Sequence, residues 1–254
     1  MGDAETADRR HATSWAPDAE AERYERGRPG YPPDAVAILV RELGLGPGRR
    51  VTDVAAGTGK LARELTASGS RVTAIEPMAG MRTQLRLLAG VDVVAGSAEG
   101  IPLRDGTQDG VTVAQAFHWF RLPEASQELR RVLRPGGRLA IVSNQRDDGQ
   151  PVGRAISEIL RRYEDLDPRP AATRQWQDRL ATLDDFGPPE RFTVPTEQRF
   201  ATVDDFDARF LSISFVILLD ANSRAALLDE LHRAVAGEPL AVPMRTVIDL
   251  RAGA

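Results

Sequence analysis

Short β-branched segments alternate with segments of helical periodicity between residues 50 and 142 of this chain. Five strands are predicted, at residues 50–54, 71–75, 92–95, 109–114 and 138–142. Helices are predicted between several of them, at about residues 60–68, 78–88 and 123–133. Apolar strands that alternate with helices indicate a parallel sheet covered on both faces. Right-handed crossovers then predict a doubly wound α/β sheet with its ligand site at the carboxyl ends of the strands.

This rhythm stops after Asn144. The remaining sequence predicts helical structure at 151–185, a strand at 191–200, two helices within 203–236 and a final strand at 242–250. We therefore expect a Rossmann-like, seven-stranded sheet, mostly parallel with an antiparallel C-terminal edge strand, and a helical cover inserted after strand 5. The predicted organisation is a disordered tail at 1–18 and one domain at 19–254. Within that domain we expect a core at 34–146 and 191–254, an N-terminal lid at 19–33, and the helical cover at about 150–190 and 203–236.

Composition and charge exclude several classes of protein. The chain has no cysteine, which excludes disulfides and thiolate chemistry, and its three histidines argue against a structural zinc site, so no metal is expected. A net charge of −4 gives no support for a nucleic-acid partner. Neither an apolar run of about 18 residues nor the pattern of a signal peptide is present. We expect a cytoplasmic protein, without membrane contact, that is a monomer or a homodimer.

A glycine turn follows the first predicted strand in Val51-Thr52-Asp53-Val54-Ala55-Ala56-Gly57-Thr58-Gly59. Glycines there permit positive φ and a close approach of the backbone to a ligand, although purely structural turns also carry them. Residues 57–62 also satisfy the dinucleotide pattern Gly-x-Gly-x-x-Ala. Asp53 would repel a pyrophosphate at this place, whereas it suits a ligand with an ammonium group and a cationic sulfur, such as S-adenosylmethionine (SAM).

A second acid follows the next predicted strand. Glu76 comes 19 residues after Gly57, a spacing that suits a carboxylate binding two ribose hydroxyls. Taken alone, Glu76 could equally be an acid at the start of a helix. The glycine turn beside it favours the interpretation as a ribose ligand.

Further motifs follow these two in a fixed order. They are Gly96-Ser97-Ala98-Glu99, Gln115-Ala116-Phe117-His118-Trp119-Phe120 and Leu133-Arg134-Pro135-Gly136-Gly137. With the glycine turn and Glu76, this ordered set resembles the class I SAM-dependent methyltransferases of the methyltransferase type 11 branch. The segment Tyr24-Glu25-Arg26-Gly27-Arg28-Pro29-Gly30-Tyr31-Pro32 resembles a subgroup that includes trans-aconitate-methyltransferase-like enzymes. The resemblance covers about residues 19–146 closely and the rest of the chain loosely.

The resemblance implies a set of SAM-binding residues, of which S-adenosylhomocysteine (SAH) would be the product ligand. The methionine part would be lined by Asp53, Ala55, Gly57 and Gly59, the ribose bound by Glu76, and the adenine met by Met78, Ser97 and Ala98. The sulfonium would lie over Gln115, Ala116 and Phe117, and the lid residues Tyr24 and Arg28 would cover the cofactor. Two positions depart from the family pattern. Ala55 replaces a glycine, which is tolerable if φ stays negative there, and Ser97 replaces a common aspartate.

The acceptor side of the site has fewer sequence signals. Methyl transfer from a sulfonium is an in-line displacement that mainly needs alignment and exclusion of water, so a general base is optional. His118 is the candidate base or acceptor-positioning group, with a packed loop histidine as the alternative. Trp119 and Tyr31 are the other candidates for acceptor binding, although aromatic side chains in such loops are often simply core.

The expected function is methyl transfer to a small-molecule acceptor, at an oxygen of a carboxylate, phenol or alcohol. The carboxylate is suggested only by the neighbouring subgroup. One alternative is a SAM-binding protein that does not transfer methyl groups, either a regulator or a recruited cyclase. Another is an NAD(P)-dependent oxidoreductase, which is disfavoured because Lys60 is the only lysine and no Tyr-x-x-x-Lys pair exists. A nucleic-acid methyltransferase is disfavoured because the Asn/Asp-Pro-Pro-Tyr type of loop is absent after strand 4.

Overall fold

The structure is a computed structural model that describes residues 28–165, 180, 183, 185–235 and 240–253, with the backbone alone of Ser214. Its seven strands are β1 Arg50–Val54, β2 Arg71–Glu76, β3 Val91–Ala95, β4 Gln108–Ala114, β5 Leu133–Arg146, β6 Glu190–Arg199 and β7 Ala241–Ala252. Its eight α-helices are α1 Pro33–Glu42, α2 Lys60–Thr66, α3 Ala79–Leu85, α4 Glu124–Val132, α5 Pro151–Glu164, α6 Val203–Leu211, α7 Ser214–Leu218 and α8 Ala221–Ala234. Among these residues, no helix combines the length and the apolar character that crossing a membrane requires.

All seven strands form one sheet in the order β3-β2-β1-β4-β5-β7-β6. Strands β1 to β5 pair in parallel, and β7 pairs antiparallel with both β5 and β6. This topology confirms the predicted doubly wound, Rossmann-like α/β fold. The antiparallel final strand lies between β5 and β6, so that β6 is the outermost strand. The strand order reverses between β1 and β4, which makes their carboxyl ends the expected ligand site.

Strand β5 is longer than the sequence predicts at both ends. The turn predicted at residues 134–137 lies within it as an irregular segment, because Gln108 pairs with Leu133 and Gly110 then pairs with Arg138. At the other end the strand continues to Arg146 instead of ending at residue 142. Pairing with β7 holds this extension as far as Arg146 opposite Met244.

Buried side chains form three clusters around the sheet. One face packs against α4 through residues such as Val113, Ile141 and Leu129. The other face packs against α1 and α2 through residues that include Leu39 and Leu65. Burying a large aliphatic side chain of this kind stabilises the fold by about 1.5–3 kcal/mol.

The third cluster forms the helical cover, which consists of α5, α6, α7 and α8. Phe206 and Leu231 are fully buried in it, and Met244 of β7 joins it to the sheet. The prediction of two helices within 203–236 is wrong, because three are present. The Asp220 carboxylate caps α8 by accepting hydrogen bonds from the N–H groups of Asn222 and Ser223, which separates α8 from α7.

Several sequence predictions fall outside the described residues. These are the tail at 1–18, the part of the lid at 19–27, and residues 166–179, 181, 182, 184 and 236 of the predicted helical cover.

Candidate active site

The neighbouring strands β1 and β4 both continue into a residue with left-handed backbone. Ala55 has a φ of 57° and Gln115 a φ of 59°. A residue with a Cβ rarely adopts this conformation, which costs about 1–2 kcal/mol. The condition under which alanine is tolerable at position 55, a negative φ, is therefore not met, and a glycine would fit this backbone without strain. Strained residues cluster at functional sites, so the pair marks this edge of the sheet as a candidate site.

The turn between β1 and α2 uses glycine at two positions for different reasons. Gly57 has a φ of 60°, and a Cβ built there would meet none of the described residues within 4 Å, so the turn borders open space. Gly59 has a φ of 87°, and a Cβ there would lie 2.5 Å from Leu88 Cδ1 and 2.6 Å from Leu85 Cδ2. Gly59 therefore lets α2 begin close to the end of α3, whereas Gly57 leaves room for a ligand.

Asp53 lies in β1 with its side chain buried. Its Oδ1 accepts a hydrogen bond of 2.7 Å from the Thr112 hydroxyl on β4, while Oδ2 has no partner among the described residues. Burial raises the pKa of Asp53 to about 7; the Thr112 hydrogen bond acts in the opposite direction, and the charge of Glu76 raises it further. A desolvated carboxyl with one unsatisfied oxygen favours a ligand that brings a donor or a positive charge.

Glu76 is the last residue of β2 and is also buried. Its Oε2 accepts a hydrogen bond of 2.8 Å from the Gly57 N–H, and its Oε1 accepts one of 2.9 Å from the Met78 N–H. Burial raises the pKa of Glu76, while the two backbone hydrogen bonds and the Arg82 charge act in the opposite direction. Glu76 thus joins the loops that follow β1 and β2, and each oxygen keeps a further lone pair for a ligand.

The three residues predicted to contact adenine lie on the loops after β2 and β3. Met78 is half-buried and precedes the first residue of α3. Ser97 is half-buried and forms an isolated bridge with Gly100. Ala98 is buried and packs in the core cluster on the α4 side of the sheet. The structure therefore brings all three to the same edge as the glycine turn, with the Ala98 methyl group in the core.

A single turn of 3₁₀ helix, Phe117–Trp119, follows β4 and carries two of the predicted acceptor-side residues, His118 and Trp119. Ala116, Phe117 and Phe120 are buried in the core, and the two phenylalanine rings lie 5.9 Å apart. His118 is half-buried, with its ring centroid 4.7 Å from that of Trp119. The Trp119 side chain is 43% exposed. The buried rings hold the turn in place and leave His118 and Trp119 nearer the surface.

The described part of the predicted lid connects the sheet to the helical cover. Asn144, near the end of β5, donates from Nδ2 to the Gly30 carbonyl at 3.0 Å. The Arg28 guanidinium donates from Nη2 to the carbonyl of Ser212, the residue after α6, at 2.9 Å. Residues 28–32 therefore lie across the carboxyl edge of the sheet.

Of the two tyrosines predicted to take part in the site, the structure describes Tyr31 and not Tyr24. Tyr31 is half-buried and packs against the core cluster on the α1 side of the sheet. Tyr24 lies outside the described residues. Acceptor binding by Tyr31 and cofactor binding by Tyr24 stay predictions.

Three polar residues at this edge, Asn144, Arg146 and Thr246, are missing from the sequence prediction. Gln115 donates from Nε2 to the Asn144 carbonyl at 3.2 Å, and the Thr246 hydroxyl donates to Asn144 Oδ1 at 2.6 Å. Arg146 comes two residues after Asn144 and is the last residue of β5. The sequence signal for Asn144 and Arg146 is the polar run Ser143-Asn144-Gln145-Arg146, which directly follows the predicted apolar strand.

A cavity of about 560 Å³ lies elsewhere, at the amino ends of the first strands. Its lining includes Arg50, Arg71 and Arg104 but none of the predicted site residues. The chemistry of the strand ends, and not the presence of this cavity, therefore locates the candidate active site.

Known proteins are similar to this chain in sequence and in fold. The family described as a methyltransferase domain matches residues 52–141. An uncharacterized methyltransferase of Mycobacterium tuberculosis is 38% identical over 232 residues, which cover 88% of this chain and 90% of that protein. An uncharacterized methyltransferase-like protein of Schizosaccharomyces pombe is 39% identical over 142 residues, covering 55% of this chain and 56% of that protein.

The fold comparison agrees. A solved structure from Anaeromyxobacter dehalogenans, described as a type II methyltransferase, has a TM-score of 0.69 and 25% identity, covering 89% of this chain and 97% of that one. This chain belongs to the class I SAM-dependent methyltransferases. The family resemblance of the sequence is thereby confirmed, while the trans-aconitate-methyltransferase-like subgroup stays a prediction.

The residues at the carboxyl edge fit the cofactor that this family implies. SAM carries an ammonium group, a sulfonium and a ribose. Asp53 has a buried oxygen without a partner in the described part of the chain, which suits a cationic donor. Gly57 borders open space, and the Glu76 carboxylate retains acceptor capacity for hydroxyl groups.

Proposed function

We propose that this protein transfers a methyl group from SAM to a small-molecule acceptor, at an oxygen of a carboxylate, phenol or alcohol. The observation that carries the proposal is the buried Asp53 Oδ2, which has no hydrogen-bond partner among the described residues and lies in the strand that leads into the glycine turn. A dinucleotide would bring a pyrophosphate and hence negative charge to this acid. The amino-acid part of SAM brings an ammonium group instead.

Each part of the cofactor has proposed ligands in this chain. The methionine part would be held by Asp53, Ala55, Gly57 and Gly59, the ribose by Glu76, the adenine by Met78, Ser97 and Ala98, and the sulfonium region by Gln115, Ala116 and Phe117. Arg28 and Tyr24 would cover the cofactor from the lid. Support comes from the buried, unsatisfied Asp53 carboxyl and from the hydrogen bonds that fix Glu76 between two loops.

SAM supplies a methyl group that is already activated by the positive charge on its sulfur. The task of the protein is then to align the acceptor and to exclude water. Trp119, Tyr31 and His118 are the proposed acceptor-binding residues. His118 can accept the proton of a phenol or alcohol, whereas a carboxylate needs no base. Cytoplasmic location and monomeric or homodimeric assembly stay predictions.

Transfer of label from methyl-labelled SAM to panels of carboxylates, phenols and alcohols tests the proposal. We expect labelled product and SAH to form in equal amounts with at least one acceptor. The Asp53→Ala variant should lose this activity, because its cofactor affinity falls. Tight SAH binding with no labelled product from any panel would contradict methyl transfer and favour a regulator. A cyclised product without label would favour a recruited cyclase.

A further inference from the structure

Arg146 is a half-buried cation at the edge of the sheet that carries the proposed active site. Its Nε donates a hydrogen bond of 2.9 Å to the Ser157 hydroxyl of α5, and Ser157 donates in turn to Asp148 Oδ1 at 2.6 Å. Within the described residues, this is the only hydrogen bond that the Arg146 guanidinium makes. An arginine has five N–H donors, so the four on Nη1 and Nη2 have no protein acceptor in this part of the chain.

Four charged side chains among the described residues act on the charge of Arg146. Asp148 and Glu164 attract its charge, while Arg161 and Arg28 repel it. Burial lowers the pKa of Arg146, whose side chain is half-buried.

Arg146 lies near the proposed site of methyl transfer. Asn144 and Arg146 are two residues apart in β5 and therefore share one face of the sheet, about 7 Å from each other along the strand. The Asn144 carbonyl accepts the hydrogen bond from Gln115, whose loop underlies the proposed sulfonium position. Asn144 also binds the Gly30 carbonyl, so the lid segment lies beside Arg146.

A guanidinium that is partly removed from water is stabilised by an oxyanion, because its planar N–H groups match the two oxygens of a carboxylate. We propose that Arg146 binds an anionic group of the methyl acceptor and thereby selects acidic acceptors, whichever atom is methylated. This inference rests on the proposed function, since it concerns the acceptor of that reaction. Arg146 is a specificity-determining residue in this account, and Arg28 adds positive charge to the same region.

Matched pairs of acids and amides test this proposal by calorimetry on the SAH-loaded protein. Suitable pairs are benzoate and benzamide, phenylacetate and phenylacetamide, and succinate and succinamide. We expect at least one acid to bind ten-fold or more tightly than its amide. Arg146→Gln should weaken binding of that acid ten- to hundred-fold and leave the SAH affinity within about two-fold, because charge-assisted hydrogen bonds are lost.

Three further variants distinguish a role of Arg146 in binding the acid from a role in holding the fold. Arg86→Gln removes an exposed arginine after α3 and should change neither affinity. Ser157→Ala removes the link between β5 and α5 but keeps the cation, so acid binding should stay within about three-fold. Arg146→Lys keeps the charge without the planar fork and should give an intermediate affinity, which also covers the case in which Arg146→Gln fails to fold.

The proposal is overturned if no acid binds more tightly than its amide, or if Arg146→Gln and Arg146→Lys both bind acids as the wild type does. Failure of the proposed function is recognised separately, because SAH would then either not bind or bind without any labelled product in the transfer assay. In that case the same acid and amide titrations are made on the protein without SAH. We still expect the acid to bind more tightly than its amide there, because Arg146 is present.

Discussion

Glu76 accepts a hydrogen bond of 2.8 Å from the Gly57 N–H, so a carboxylate at the end of β2 holds the glycine turn that follows β1. Its other oxygen accepts the Met78 N–H at 2.9 Å. One buried side chain therefore fixes two loops where the proposed cofactor lies. The proposed ligand site and the local fold thus share the same carboxylate.

Replacing Glu76 with alanine should weaken SAH binding ten-fold or more. The variant loses a charge-assisted acceptor worth roughly 1.5–3 kcal/mol and leaves two backbone N–H groups without their partner. Its thermal midpoint should fall as well. Glu64→Ala, on the exposed side of α2, is the matched control and should change neither property. Unchanged SAH affinity in Glu76→Ala, measured by calorimetry, would remove Glu76 from the site.

Asp53 should make stability depend on pH. Burial raises the pKa of Asp53 from an ordinary 3.8 to about 7 in the folded state. Between about pH 4 and pH 7, the folded protein therefore holds a proton on Asp53 that the unfolded chain has already released. Its free energy of unfolding falls as pH rises through this window, by on the order of 1.4 kcal/mol per unit.

Asp53→Asn should remove this contribution, because asparagine does not titrate and can still accept from Thr112. Urea unfolding of both proteins between pH 4.5 and 7.5 measures the effect. The free energy of unfolding of the variant minus that of the wild type should increase with pH across the window. A difference that is constant with pH would mean that Asp53 titrates near its ordinary pKa.

Ala55→Gly should stabilise the protein. Glycine removes the strain of φ 57°, about 1–2 kcal/mol, against a loss of roughly 0.4–1 kcal/mol from its greater freedom in the unfolded chain. The net gain should be about 0.5–1 kcal/mol in urea unfolding. Gln115→Gly relieves the same backbone strain but loses the hydrogen bond to the Asn144 carbonyl, so it should gain less. Lower stability of Ala55→Gly than of the wild type would show that the alanine is not strained.

Two variants of His118 should separate its proposed roles. Both His118→Ala and His118→Gln should keep the SAH affinity within about two-fold, since the proposed role of the ring concerns the acceptor and not the cofactor. If His118 is a base, both should lower turnover of a phenol or alcohol by roughly 10²-fold or more. If it only orients the acceptor, glutamine should restore much of the activity. Wild-type turnover in His118→Ala would show that the residue only packs against Trp119.

The sheet could be predicted because its strands carry strong local signals. Strand β1 begins and ends where the sequence predicts, and β3 and β4 differ by one residue at their starts. Apolar runs between turn residues define such strands without knowledge of their neighbours. The end of β5 could not be predicted this way, because Arg146 is held in the strand by Met244, which is distant in sequence.

The same contrast applies to the candidate site. Asp53 and Glu76 were identified from their positions at strand ends next to a glycine turn. The left-handed backbone of Ala55 was missed, because alanine itself gives no signal for positive φ. Thr112, which binds the Asp53 carboxylate, belongs to β4 and becomes a neighbour only when the strands pair. Properties that depend on pairing between distant segments therefore had to come from the structure.

Calorimetric titration of the protein with SAH, and with NAD⁺ and NADP⁺ as controls, tests the central claim most directly. We predict a dissociation constant of about micromolar for SAH, equivalent to roughly −8 kcal/mol, and no binding of either dinucleotide. The SAH affinity should fall ten-fold or more in Asp53→Ala as well as in Glu76→Ala. Preference for a dinucleotide, or failure to bind SAH at all, would contradict the assignment of this edge of the sheet as a SAM site.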